Sequence, residues 1–324
     1  MPNVISFDDA IEATAEDDRA LLIGNGFSAK YFSYRSLLEK AGLEEGTPLR
    51  NLFTALDTVD FETVVRALED AAVVEHAYGK ETHATELTDH AQLVREALVK
   101  AINDTHPEHK QELTFELGSG AKFLARFATV FSLNYDLLLY WLNLEKVKLR
   151  DGFGLGEESG GGAFRGPFSE QAYCEIFNLH GGLHLFRDSA GDVYKAQNTG
   201  NGVIATITKT ISQARRLPLY VAEGTSMAKV GKINSVPYLR YCYDRLRGNA
   251  VTIFVFGHSA AENDEHIYRA VFGSETKHVY FGVYQPTHDK VRDLDAQLAK
   301  YQKLGNQDVP YSLYDAESAH VWNG

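Results

Sequence analysis

A chain of 324 residues with 32 Lys and Arg against 44 Asp and Glu carries a formal charge of −12. That balance argues against a broad nucleic-acid-binding face, which needs a basic surface. Hydrophobic residues at 44% and charged residues at 23% exclude a disordered or collagen-like chain, and the length fits one large domain or two ordinary ones.

The N-terminal Met-Pro-Asn-Val-Ile-Ser-Phe-Asp-Asp is acidic and lacks the layout of a secretory signal. No apolar run reaches the roughly 18 residues of a membrane span. A cytoplasmic protein without membrane attachment is expected. The first predicted strand, Ala20 to Ile23, runs into Gly24-Asn25-Gly26-Phe27-Ser28. Small residues there would let a backbone approach a phosphate, and free N–H groups at a following helix would favour the anion. The third glycine of the dinucleotide fingerprint is missing, so a tight strand–helix turn is an equal reading. Residues 35 to 125 read as helical, with apolar residues at helical spacing in Phe61 to Leu68 and Ala91 to Ile102. They form an expected helical insertion subdomain between 1–34 and 126–324. Within it His76, His83 and His90 are seven residues apart on one predicted helical face, among acidic residues that suit a solvent face.

The second strand, Ala128 to Leu133, ends at Asn134-Tyr135-Asp136. An Asn side chain both donates and accepts, which suits a carboxamide or a positioned water. Asp136 reads mostly as a helix cap. Seven glycines between 151 and 168 suggest a ligand-covering loop or a linker. Cys174 opens the next predicted strand, which runs from Glu175 to Leu179 into His180-Gly181-Gly182. A histidine beside two glycines has room for a substrate and suits general-base work. His184 reads as structural. No further Cys or His nearby has ligand spacing, so no metal is expected. Leu219 to Val221 leads to Gly224-Thr225-Ser226, where Thr225 and Ser226 could bond phosphate or ribose, Lys229 could add charge, and a capped helix start is the plainer reading. Val251 to Phe256 ends at Gly257-His258-Ser259, with Asp264 as loop anchor or cap. His258 and His266 have no evident partner in the sequence. Strands follow at His278 to Val283 and Val309 to Tyr314. Continuous apolar strands alternating with helices imply an α/β fold with a parallel sheet buried on both faces, and ligands then bind beyond the strands' carboxyl ends.

The ordered set Gly24-Asn25-Gly26-Phe27-Ser28, Asn134-Tyr135-Asp136, His180-Gly181 and Gly257-His258-Ser259 with Asp264 resembles the sirtuin-like (SIR2-like) superfamily. It is most similar to the bacterial branch without a zinc ribbon, of the DUF4917 type. The resemblance implies a Rossmann-like fold that takes NAD as substrate. It also implies that Gly24, Gly26 and Ser28 belong to the cofactor loop, that Asn134 holds nicotinamide or water, and that His180 is the catalytic histidine. Gly257 and Ser259 would touch ribose and phosphate, and Val283 and Tyr284 would approach the adenine. The zinc ribbon of protein deacylases needs four cysteines, and Cys174 and Cys242 are the only two. The resemblance therefore points to an NAD glycohydrolase of bacterial antiviral defence, acting as a homo-oligomer or with a sensor or ATPase partner. The alternative is a non-catalytic NAD or ADP-ribose sensor that acts through a protein partner.

Overall fold

A computed structural model describes residues 3–31, 37–105, 117–147, 149–153, 162–164, 175–196, 202–221, 224–305 and 308–322. In chain order the elements begin with β1 (Val4–Ile5), α1 (Phe7–Glu12) and β2 (Arg19–Ile23). A helical stretch follows: α2 (Leu37–Lys40), α3 (Pro48–Ala55), α4 (Phe61–Ala77), α5 (Glu81–Thr105) and α6 (Leu117–Leu124). Then come β3 (Thr129–Ser132), α7 (Leu138–Leu142), β4 (Ile176–Asn178), β5 (Gly181–Arg187), β6 (Val193–Lys195), α8 (Val203–Ser212) and β7 (Pro218–Tyr220). The last part holds α9 (Ser226–Ser235), α10 (Pro237–Arg247), β8 (Thr252–Phe256), α11 (Glu265–Phe272), β9 (Val279–Val283), α12 (His288–Gly305) and β10 (Tyr311–Asp315).

Seven strands form one parallel sheet in the order β1-β10-β9-β8-β2-β3-β4. Helices cover both faces, a Rossmann-like α/β arrangement. Alternation along β2 shows why the apolar run is continuous. Leu21 and Ile23 enter one core, shared with Phe61, Val64 and Leu98 of the helical stretch. Ala20 and Leu22 enter the other, shared with Leu239, Ile267 and Leu298 of the later helices. The helical stretch therefore packs directly on one sheet face. Asp60 starts α4 by accepting the Glu62 amide at 2.9 Å. Phe61, Val64, Val65, Leu68 and Ala72 then make one buried stripe at helical spacing.

The strand order reverses beside β2: β3 and β4 lie on one side, β8, β9 and β10 on the other. That reversal is where open α/β sheets bind their ligands.

Several expectations are corrected here. The short edge strand β1 precedes the strand expected to be first and pairs with β10. β7 is not in the parallel sheet; with β5 and β6 it makes a separate antiparallel sheet, β6-β5-β7. His76 sits near the end of α4 while His83 and His90 lie on α5, because the chain turns between them, so the three do not share one helical face. His76 and His83 do face solvent, beside Glu81 and Glu75. Cys242 is buried in α10. Cys174 and most of the glycine-rich segment lie outside the described residues. No helix among the described residues is long and apolar enough to cross a membrane.

Candidate functional site

The loops after β2, β3, β4 and β8 meet at one end of the sheet. Register brings them together. Ile23 pairs with Ser132 on one side and Phe256 on the other, and Ser132 pairs with Asn178. Asn134 and His180 thus stand two residues beyond neighbouring paired positions, side by side at strand ends. Asn134 Nδ2 donates to Ser28 Oγ at 3.0 Å, and both side chains are buried. Its Oδ1 has no hydrogen-bond partner. Asn134 also lines a cavity of about 20 Å³ with Asp136, Tyr140, Asp151, Asn178 and His184.

His180 joins a buried polar cluster drawn from distant parts of the chain. Its Nε2 lies 3.4 Å from His266 Nε2 and 4.0 Å from Asp264 Oδ1. Ser226 Oγ accepts the His266 amide and is hydrogen-bonded to His266 Nδ1, each at 3.0 Å. One of the two Nε2 atoms of His180 and His266 carries the proton that joins them. Asp264 Oδ1 accepts from Lys229 Nζ at 2.8 Å. The Ala260 amide and the Tyr268 hydroxyl both donate to His258 Nδ1, so His258 Nε2 donates to Asp264 Oδ2, at 3.1 Å. Asp264 is therefore the loop anchor; its side chain makes no cap bond to α11.

One reading is overturned here. His258 and His266 do have partners, and they arrive through tertiary contacts that residue spacing does not reveal. A third ligand atom beside His180 also exists. His180, Asp264 and His266 place one ligand atom each within 4.8 Å of one another. His184 is no part of that group, since it lines the cavity beside Asn134 and lies against the Tyr140 ring at 4.9 Å.

The glycines serve the fold. A Cβ on Gly26 would lie 2.6 Å from Gly257 Cα, and one on Gly24 would lie 2.6 Å from the His258 ring. Their absent side chains let the loops after β2 and β8 touch. The amides of Gly24, Gly26, Phe27 and Ser28 already donate to the carbonyls of Phe256, Gly257, Gly24 and Asn25. The loop does not present the row of free N–H groups that an anion cradle would use. Asn25–Phe27 is a single tight 3-10 turn, and residues 28–31 after it are turn, not α-helix. The exposed Asn25 lies on its outer side. Phe27 is a core residue, packed edge-on against Phe256 and Trp322. A Cβ on Gly181 would lie 2.2 Å from the Leu219 carbonyl oxygen, so this glycine lets β7 approach the start of β5. Thr225 caps α9 by accepting the Ala228 amide, and Asp136, just before α7, accepts the amide of its first residue, Leu138. Lys229 gives its charge to Asp264 rather than to an incoming phosphate. Ser259 is exposed, and so is Tyr284 beyond β9.

The sequence pattern described as a domain of unknown function (DUF4917) matches residues 21–322. The chain belongs to the DUF4917 family. The matched span holds every residue of the two clusters just described. A search of curated proteins finds no match.

Electrostatics divide the ionisable groups of this DUF4917 chain sharply. Burial, reinforced by Lys229 and the neighbouring histidines and only partly opposed by Asp264, holds His180 down to about 3. Burial likewise brings His266 down to about 4. Burial works against ionisation of Asp264 too, but the His258 hydrogen bond, with the nearby histidines and Lys229, holds its carboxyl well below the usual carboxylate range. Lys229 and Asp264 thus form a charged pair beside two uncharged imidazoles.

His184, lowered to about 3 chiefly by burial and secondarily by Lys195, gives a pH prediction. Unfolded, it takes up a proton near pH 6.5; folded, only near 3. Between those values the unfolded state binds more protons, so the stability from a neutral His184 is complete above pH 6.5 and is lost as pH falls towards 3. Urea midpoints measured from pH 7 to 4 should fall less steeply for His184→Gln than for the parent. Parallel curves would refute this.

Proposed function

We propose that this DUF4917 protein cleaves NAD between nicotinamide and ribose, releasing nicotinamide and ADP-ribose. The observation that carries the proposal is that Ser28–Asn134 and His180–His266–Asp264–Lys229 both stand at the carboxyl end of a Rossmann-ordered sheet, beside its strand-order reversal. The resemblance of the same motifs to the SIR2-like superfamily supports NAD as the ligand, and it is the support for a role in antiphage defence with a homo-oligomer or a protein partner.

Breaking the bond from ribose C1′ to the nicotinamide nitrogen builds positive charge on the ribose. Water must then bond to C1′ and lose a proton. In this reading Asn134 offers its unpartnered Oδ1 to the nicotinamide carboxamide or to that water. His180 accepts the proton at Nε2 once its contact with His266 opens. Nicotinamide leaves as the neutral base. The Asp264 carboxylate, 4.0 Å from His180, steadies the imidazolium that forms.

One observation favours the sensor reading. His180 Nε2 is engaged by His266, its affinity for protons is low, and most of the loop 24–28 amides are taken. A weak base behind occupied donors suits binding without turnover.

Nicotinamide release from NAD separates the two. The parent protein should turn over, alone or with its partner, and His180→Ala should lose about 10²- to 10⁴-fold, the usual share of a general base. Asn134→Ala should also lose turnover. Tight NAD binding with no turnover would favour the sensor. Turnover that survives His180→Ala would remove that residue from the mechanism.

A further inference from the structure

We propose that His180, His266 and Asp264 form a binding site for a divalent transition-metal ion of the zinc class. Two Zn–N bonds at a tetrahedral angle put their nitrogens about 3.3–3.4 Å apart. His180 Nε2 and His266 Nε2 are 3.4 Å apart. Asp264 Oδ1 lies 4.0 Å from His180 Nε2, and the three ligand atoms fall within 4.8 Å of one another. Tetrahedral ligation requires that oxygen to close to about 3.3 Å from each nitrogen. All three side chains are buried.

The surroundings match what a metal site needs behind its ligands. Ser226 Oγ holds the far nitrogen of His266, and with the metal on Nε2 the Nδ1–H would donate to that oxygen. His258 Nε2 holds the far oxygen of Asp264, and His258 is itself fixed by Tyr268 and the Ala260 amide. Three protein ligands leave a fourth position for water or another small ligand, the arrangement of open zinc sites.

Lys229 sets the affinity. Its ammonium occupies the Asp264 corner at 2.8 Å, so the site already holds one positive charge. An incoming ion must share that carboxylate or displace the ammonium, which weakens binding. Removing the ammonium should tighten it. Metal on His180 Nε2 also excludes that atom from accepting a proton. This consequence rests on the NAD-cleavage reading; the binding itself does not.

The test uses the full chain freed of metal by a chelator, and no NAD. Zinc would be titrated by calorimetry, cobalt by its visible ligand-field absorption, and magnesium would serve as the hard-ion control. The expected result is one zinc or cobalt per chain and no magnesium. His266→Ala should weaken zinc at least about 10-fold. Lys229→Met should tighten it, and zinc should restore that variant's lost thermal stability. His83→Ala, an exposed histidine on α5, should change nothing. Because the buried variants could fail to fold, X-ray absorption at the zinc edge of the parent protein supplies a second measurement, expected to show two imidazoles with oxygen. Sub-stoichiometric binding, equal weakening by His266→Ala and His83→Ala, or a zinc shell without imidazole would overturn the proposal.

Discussion

Gly257→Ala should lose about 2–5 kcal/mol of stability, among the largest single losses expected in this chain. Two costs add. The glycine sits at φ +70°, where a residue with a Cβ costs about 1–2 kcal/mol. The added carbon would also lie 2.4 Å from the Phe27 amide nitrogen, a backbone atom held in the tight turn after β2. Overpacking of that kind costs about 1–3 kcal/mol more. Gly79→Ala is the natural control. It shares the conformation at φ +74° but has nothing within 4 Å, so it should pay the backbone cost alone. Urea unfolding of both variants separates the contributions. Equal losses would mean that the contact between the loops after β2 and β8 carries no weight.

Lys229→Met should cost about 3–5 kcal/mol, because it leaves the Asp264 carboxylate buried without its cation. Lys229 is 4% exposed, so water cannot replace the lost ammonium. His258 still donates to Asp264, but one hydrogen bond does not neutralise a buried charge. Adding Asp264→Leu removes the stranded charge, and the double variant should recover most of the loss. Denaturant midpoints of the two single variants and the double variant close the thermodynamic cycle. A single-variant cost below about 1 kcal/mol would show that the pair is solvated in solution.

The parallel sheet was legible because its central strands β2, β3, β4 and β8 are apolar runs punctuated by glycine or asparagine, and each of those punctuations marks the same end of the sheet. Asn134, His180 and Asp264 could be picked out for that reason. The direction of β7 could not, since a three-residue apolar strand carries no sign of whether its neighbour is parallel or antiparallel. β1, two residues long, owes its existence to the edge of β10 and leaves almost no local pattern. The partners of His258 and His266 were hidden for a different reason. His266 meets His180 and Ser226 across 86 and 40 positions of sequence, and spacing rules see only near neighbours. The glycines misled in a specific way. A missing side chain lets a phosphate approach or lets another loop approach, and only coordinates tell which. Here the other loop has taken the space.

The reversal of strand order beside β2 bears on how the molecule comes into being. Arg19 pairs with Thr252, so the central strand waits for most of the chain before its second neighbour exists. Pairings between such remote segments form late and slowly. On the ribosome the first two-thirds of the protein can gather its helices and the β2–β3–β4 ribbon. It still lacks His258, Asp264 and His266. An unfinished or truncated product therefore carries no assembled centre, and whatever chemistry the site performs switches on only with the complete fold.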